Sequence, residues 1–308
     1  MDIDLIANII FATIRTGTPL LIVALGELVC EKSGVLNLGQ EGMMLMGAVV
    51  GFIAAFHSDS ITVGFICAML AGISMSLIFG FITMNLNANQ VASGLALTIF
   101  GTGLSGFIGL AYVGKALDGV EAIVIPGLGS IPFLGTAFFS HDIIVYLSVF
   151  MCIFVYYFFK NTRAGLIVKA VGESPESAQA IGLSVLSVRY MAIMFGGAMA
   201  GMAGAYLSLV YTPLWADNMT AGRGWIALAL VVFASWRVER VLLGAYLFGA
   251  ASIVNLILQG YNVSISPNLL ATLPYVATIL VLVALSSNQA KVKMFAPVSL
   301  GKPFHRSN

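Results

Sequence analysis

The side chains able to do chemistry in this sequence gather in short polar stretches between long apolar ones. From Glu27 to Gly42 the chain carries three carboxylates (Glu27, Glu31, Glu41), the amides Asn37 and Gln40, and three glycines. A second knot holds Asn85, Asn87, Asn89 and Gln90. Ionisable groups at membrane depth are costly and face a cavity or a partner. Two readings stand for the first knot: a turn with ordinary solvated charges, or a conduction path or gate. Two also stand for the second, since uncharged amides bind polar neutral solutes and equally cap helices. The candidates for a translocation path or gate are Asn37, Gln40, Glu41, Asn87 and Gln90. Arg15 lies within an apolar run, four residues before Pro19, a residue that can kink a membrane helix. A structural ion pair inside a bundle is the expectation for it. The outer end of the bundle is marked by Trp215, Asp217, Asn218, Thr220, Arg223 and Trp225, with tryptophan read as an interface anchor.

No catalytic set assembles. The sequence has no GxxxxGK[ST], HExxH or GxSxG pattern and no paired carboxylates beside a nucleophile. Cys30, Cys67 and Cys152 are far apart, without metal-type spacing. The chain is therefore expected to be no enzyme and to hold no metal or cofactor. Gly101-Thr-Gly103-Leu-Ser-Gly106 fits the dinucleotide pattern, yet it sits inside an apolar run with no strand before it, so helix packing is its expected use.

A third polar stretch has the grammar of a short helix. In Glu173-Ser174-Pro175-Glu176-Ser177-Ala178-Gln179-Ala180-Ile181-Gly182, Ser174 suits the N-cap, Pro175 the first helical position and Glu176 the first turn. Gly182 suits the residue past the end. A helix of about two turns is marginal alone and must dock against something.

The elements that position these groups follow from composition. Of 308 residues, 59% are hydrophobic and 9% charged, with a mean hydropathy of +1.00. Soluble domains are about one quarter charged, so this chain must use lipid as its solvent. A net charge of +1 gives no basic face for nucleic acid. The acidic start Met1-Asp2-Ile3-Asp4 lacks the features of a signal peptide, so the first apolar segment reads as a retained span. Apolar runs predict spans near 5–26, 42–57, 61–84, 91–113, 142–159, 190–212, 224–236, 241–259 and 269–287. The second and seventh are short and open to a broken or re-entrant reading. The expected fold is an all-α integral membrane protein of about 8–9 transmembrane helices in one domain, 1–308. Placing the loop 160–189 inside puts Lys32, Lys160, Arg163, Lys169, Arg189, Arg237, Arg240 and the basic tail inside with it. Only Lys115 and Arg223 then fall outside, beside the outer loop 114–141. The N terminus is expected outside and the C terminus inside. Small residues at helical spacing through 196–205 predict close helix contacts.

Several blocks resemble one family. Ala24-Leu25-Gly26-Glu27, Ser33-Gly34-Val35-Leu36-Asn37-Leu38-Gly39-Gln40-Glu41-Gly42-Met43-Met44 and Thr220-Ala221-Gly222-Arg223-Gly224-Trp225 are similar to segments of ABC-importer permeases. These serve simple sugars, nucleosides and, more distantly, branched-chain amino acids. Gln40 and Ser235-Trp236-Arg237-Val238 depart from the family's pattern. The resemblance covers nearly the whole chain and implies a type II importer bundle in a bacterial plasma (inner) membrane. It implies ABC ATPase subunits carrying ATP and Mg, a second permease subunit of different sequence, and an extracytoplasmic solute-binding protein as partners, beside membrane lipid. It makes Glu173, Ser174, Pro175, Glu176, Ala178, Gln179 and Gly182 the coupling helix to the ATPase. The nucleoside-type branch is the nearest, so a nucleoside or purine base is the expected solute, with riboflavin-like solutes or simple sugars next. The alternatives are an ion-coupled secondary transporter, which wants carboxylates in mid-span, and a lipid-directed membrane enzyme.

Overall fold

A computed structural model describes residues 3–260 and 295–304, with isolated positions between 266 and 283. Among the described residues there are eleven α-helices and no β-strand. They are α1 (Ile3–Lys32), α2 (Gln40–Ser58), α3 (Ile61–Gly80), α4 (Gln90–Gly109), α5 (Leu134–Phe138) and α6 (Ile143–Asn161). There follow α7 (Arg163–Glu173), α8 (Pro175–Ala180), α9 (Val185–Tyr206), α10 (Arg223–Phe233) and α11 (Val238–Gly260). One turn of π-helix extends α3 over Phe81–Asn85 and another extends α9 over Leu207–Tyr211.

Seven of these helices, with their extensions, are long and apolar enough to cross a membrane. The span expected at 269–287 lies largely outside the described residues. The apolar run at 224–236 is the 11-residue α10, which at 1.5 Å per residue reaches about 16 Å and cannot cross a hydrocarbon core of about 30 Å. The first helix is longer than its apolar run suggests, continuing to Lys32 with Pro19 inside it and no break. Glu27 and Glu31 thus belong to its last two turns, fully buried, and the reading of them as solvated turn charges does not hold.

The bundle is wound about α9. Its apolar stretch is 83% buried, against 28% for α4, and it lies against α1, α2 and α3. Lipid tails are as apolar as the helices, so association rests on close packing rather than on water expulsion. The small residues of 196–205 provide it. A Cβ added at Gly72 of α3 would lie 2.0 Å from the Gly197 carbonyl oxygen, and one at Gly204 1.9 Å from that of Met44. No side chain larger than hydrogen fits there.

Arg15 makes the expected ion pair. Its Nε lies 3.8 Å from Asp142 Oδ2 and its Nη2 donates to the Val210 carbonyl at 3.0 Å. Asp142 also caps α6, accepting from the amides of Ile144 and Val145 at 3.1 Å each. One carboxylate thereby ties α1, α6 and the end of α9 together. Trp215 is no interface anchor: it is 1% exposed, filling the space that Gly109 leaves on α4.

The dinucleotide-like pattern lies within α4, and its glycines are unequal. A Cβ at Gly101 would meet the Gly42 backbone at 2.7 Å, whereas one at Gly103 would meet nothing within 4 Å. Gly101→Ala is expected to push α4 off α2 at a cost of about 1–3 kcal/mol. Gly103→Ala is expected to leave stability unchanged or slightly raised. Thermal unfolding of the two purified variants in detergent reads the difference.

Candidate functional site: a buried polar seam and an exposed capped helix

After α1 ends at Lys32 the chain turns back into the bundle. Gly34 takes φ +88° in this turn, and α2 then starts beside Gly196, where an added Cβ would come 3.5 Å from Gln40 Nε2. Gly196 lies 11 residues (185 to 196) into α9, about 16 Å along its axis. Gly42, at the first turn of α2, touches Thr98, eight residues (90 to 98) into α4. Both neighbours put the start of α2 deep within the bundle. The start of α10 behaves alike, since its second residue, Gly224, lies against the Glu41 backbone. Two helices therefore begin in the interior, with their N-termini close together.

A loop or helix start in an apolar interior leaves backbone N–H groups that must find partners. The polar residues singled out in the sequence supply them. Gln90 Oε1 accepts from Leu36 N at 2.8 Å, and Glu27 Oε1 from Asn37 N at 3.2 Å. Asn37 Oδ1 accepts from Gly39 N at 3.0 Å. Thr98 Oγ1 donates to the Leu38 carbonyl at 2.9 Å. The Gln40 amide donates to Glu27 Oε2 at 2.5 Å. Glu41 caps α10, accepting from Gly222 N at 2.8 Å, Gly224 N at 2.6 Å and the Thr220 hydroxyl at 2.5 Å. Negative charge suits that position, because the N-terminal end of a helix dipole is positive.

The structure thus brings Asn37, Gln40 and Gln90 together with Glu27 in one sealed seam, and places Glu41 beside it at the α10 start. Asn87 stands apart, exposed in the turn before α4 with φ +53°. Thr220, read as a marker of the outer end, is buried against Glu41 instead, because its loop folds inward to the α10 start. Two residues escaped the sequence reading as site members. Glu27 is the hub of the seam, and Glu31 accepts from Trp236 Nε1 at the corner before α11. Among the described residues neither glutamate has a cation within 4 Å. The missed signal was their four-residue spacing, which stacks them on one face of a helix.

The short helix sits elsewhere, on the turn between α7 and α9. Ser174 caps it, its Oγ accepting from Ser177 N at 3.3 Å. Pro175 and Ala178 are buried, while Glu176 and Ser177 are exposed. Ile181 just beyond is 76% exposed, and Gly182 takes φ +87°. The helix is anchored by two small apolar contacts and offers a mixed acidic and apolar face outward.

Seven apolar spans and two helices that start inside them define a multi-pass membrane protein. Comparison with known proteins gives the class its family. Residues 9–286 match the family described as the branched-chain amino acid transport system permease component, and the chain belongs to it. It is an inner-membrane permease. Two relatives are aligned over nearly their whole length. TsgC13 of Haloferax volcanii, provisionally named a glucose ABC transporter permease protein, is 38% identical over 97% of this chain and 98% of its own. The guanosine ABC transporter permease protein NupQ of Bacillus subtilis is 33% identical over 92% and 93%. The nucleoside ABC transporter permease protein NupC of Lactococcus lactis is 27% identical over 86% and 88%. In fold, the chain is similar to one in the solved structure of PsaBC from Streptococcus pneumoniae in complex with Fab, with a TM-score of 0.52 at 16% identity, covering 93% of this chain and 94% of that one.

Glu41→Ala strips the acceptor from two buried donors, the Thr220 hydroxyl and the Gly224 amide, and from the half-buried Gly222 amide, a buried donor costing about 1–3 kcal/mol when unsatisfied. The variant is expected to unfold at a clearly lower temperature and to be cut by protease within 216–224. Thr220→Ala, which removes one donor and leaves the two amides capped, is expected to show a smaller shift and no new cleavage.

Proposed function

We propose that this chain is the permease subunit of an ATP-driven importer that moves a nucleoside or purine base inward across the membrane. The family match over residues 9–286 carries the reading, and the names of NupQ and NupC support the solute class. A simple sugar is the second reading, favoured by the 38% identity to TsgC13. In this proposal the whole chain is one permease domain, with the N terminus outside and the C terminus inside. One observation supports that orientation: Lys32, Arg189 and the segment 295–304 meet at the same end, through Lys32 Nζ to Phe295 O at 2.8 Å and Arg189 Nη2 to Ser299 Oγ at 3.3 Å.

ATP and Mg are held on separate ATPase subunits, a soluble binding protein delivers the solute, and a second permease of different sequence completes the path. Docking to the ATPase falls to Glu173, Ser174, Pro175, Glu176, Ala178, Gln179 and Gly182. Their exposed face supports this role, and Ile181 adds an apolar knob to it. Asn37, Gln40, Glu41 and Gln90 act as a gate in that they hold two interior helix starts in place. Movement of the seam would open the interior to solute without breaking any transmembrane helix.

Two experiments test the reading. In proteoliposomes holding the assembled complex, Glu176→Lys is expected to cut ATP-driven uptake roughly tenfold, a loss of about 1.4 kcal/mol in coupling, while the bundle stays folded. Gly182→Ala adds about 1–2 kcal/mol of left-handed strain at the helix end and is expected to act in the same direction. Full uptake by both variants would overturn the docking role. For the solute, competition against labelled guanosine decides: transport of a hexose with no transport of any nucleoside would favour the sugar reading.

A further inference from the structure

Where α7 ends at Glu173, its last carbonyls have no partner within the helix. The Gly172 carbonyl finds one in the C-terminal segment, accepting from Ser299 N at 3.0 Å and from Ser299 Oγ at 2.7 Å. The root of the loop before α2 has the same need. Gly34 stands in a turn outside any helix, and its carbonyl accepts from Gly301 N at 3.2 Å. Two successive turns fix Ser299 relative to Gly301: Leu300 N donates to the Pro297 carbonyl at 3.2 Å and Lys302 N to the Ser299 carbonyl at 3.0 Å. Gly301 takes φ +72° there, which a residue without Cβ adopts at little cost.

The segment is seated rather than laid on the surface, with Ser299 5% and Phe304 8% exposed. Arg189 of α9 fastens it as well. Its Nη2 donates to Ser299 Oγ at 3.3 Å, its Nε donates to the Ser33 carbonyl at 3.2 Å, and its guanidinium lies 5.8 Å from the Phe304 ring centroid.

The end of α7 also touches α1 directly, with Gly172 against the Lys32 carbonyl. A van der Waals contact of this kind is steep against compression and weak against separation. It passes a push and not a pull. Among the described residues, the hydrogen bonds that join the end of α7 to the loop root run through Ser299 and Gly301. A return stroke needs them.

We propose that residues 297–304 are a tie that carries movement of the short helix α8 to the buried seam, with Ser299 as the positioning residue. Its use in transport rests on the import reading, whereas the tie itself belongs to this chain alone.

Two measurements keep those apart. The first uses the full chain purified in dodecyl maltoside. Ser299→Ala deletes both hydroxyl bonds, and Gly301→Pro removes the amide bound at Gly34. Each is expected to speed hydrogen–deuterium exchange about fivefold at the amides of Leu36, Asn37 and Gly39, which the seam holds. Exchange in α3 and α4 is expected to stay as it was, and thermal unfolding checks that each variant is folded. Val298→Ala, at a neighbouring side chain 60% exposed, is expected to change nothing. Unchanged exchange at the seam in both variants would overturn the tie, whatever the chain transports.

The second uses proteoliposomes holding the assembled complex, with binding protein and labelled guanosine or glucose outside. Ser299→Ala is expected to raise the ATP hydrolysed per solute taken up about tenfold, with hydrolysis itself maintained. Ser299→Thr, which keeps a hydroxyl, is expected to restore the ratio. Uptake and hydrolysis falling together would overturn the coupling role and leave Ser299 a structural residue. Absence of ATP-driven uptake of either solute by the unaltered complex would count against the import reading instead, with the exchange result still deciding the tie.

Discussion

A helix that begins inside an apolar bundle brings its unpaired N–H groups to a place where water cannot reach them, and everything around the seam answers that constraint. The Glu41 carboxylate is the main answer. It takes two amides and a hydroxyl from the start of α10, and it does so from the first turn of another helix that itself begins in the interior. Three donors and the positive end of a helix dipole meet that carboxylate. Glu27, Asn37 and Gln90 do the same for the loop before α2. The polar seam is therefore the condition under which irregular backbone is tolerated at this depth.

That arrangement depends in turn on how closely the long helices approach. With glycine at 72, 197, 201 and 204, the backbones of α2, α3 and α9 meet at distances that leave no room for a methyl group. The tight contact fixes α9 as the axis against which α1 and α2 register. Gly196 beside Cys30 and Gln40 sets the level at which the re-entrant loop turns. A shift of a single residue in that register would carry Gln40 away from Glu27 and leave both buried without partners, at a cost well above that of an exposed pair.

Much of this was legible in the sequence, and the parts that were not have a common cause. Hydropathy located the seven spans because each is a continuous apolar run. Ser174, Pro175 and Gly182 announced their helix because capping chemistry is local. Arg15 announced an ion pair because a lone cation in lipid must have one. Hydropathy failed where helix and apolar run part company. The last turns of α1 and the first turn of α2 are polar in sequence and buried in space, so for Glu27 and Glu31 a wet turn and a buried path or gate stood as equal readings. Thr220 and Trp215 misled for the same reason, since residues near a span end are taken for the surface unless the loop is known to fold inward. Composition reports how polar a segment is, and only the tertiary fold reports what it faces.

The exposed helix and the buried seam look unrelated along the chain but share a joint. The end of α7 lies on the last turn of α1, where a Cβ at Gly172 would come 2.2 Å from the Lys32 carbonyl. Ser299 donates to the Gly172 carbonyl at 2.7 Å, and Arg189 reaches both Ser299 Oγ, at 3.3 Å, and the Ser33 carbonyl, at 3.2 Å. Ser33 and Gly34 are the root of the loop that climbs to Gln40 and Glu41. A displacement of α7 and α8 therefore meets that root before it meets any other part of the seam, and it meets it at close quarters, since a Cβ at Gly34 would come 2.4 Å from Ser299 Oγ and 2.9 Å from Arg189 Nη2.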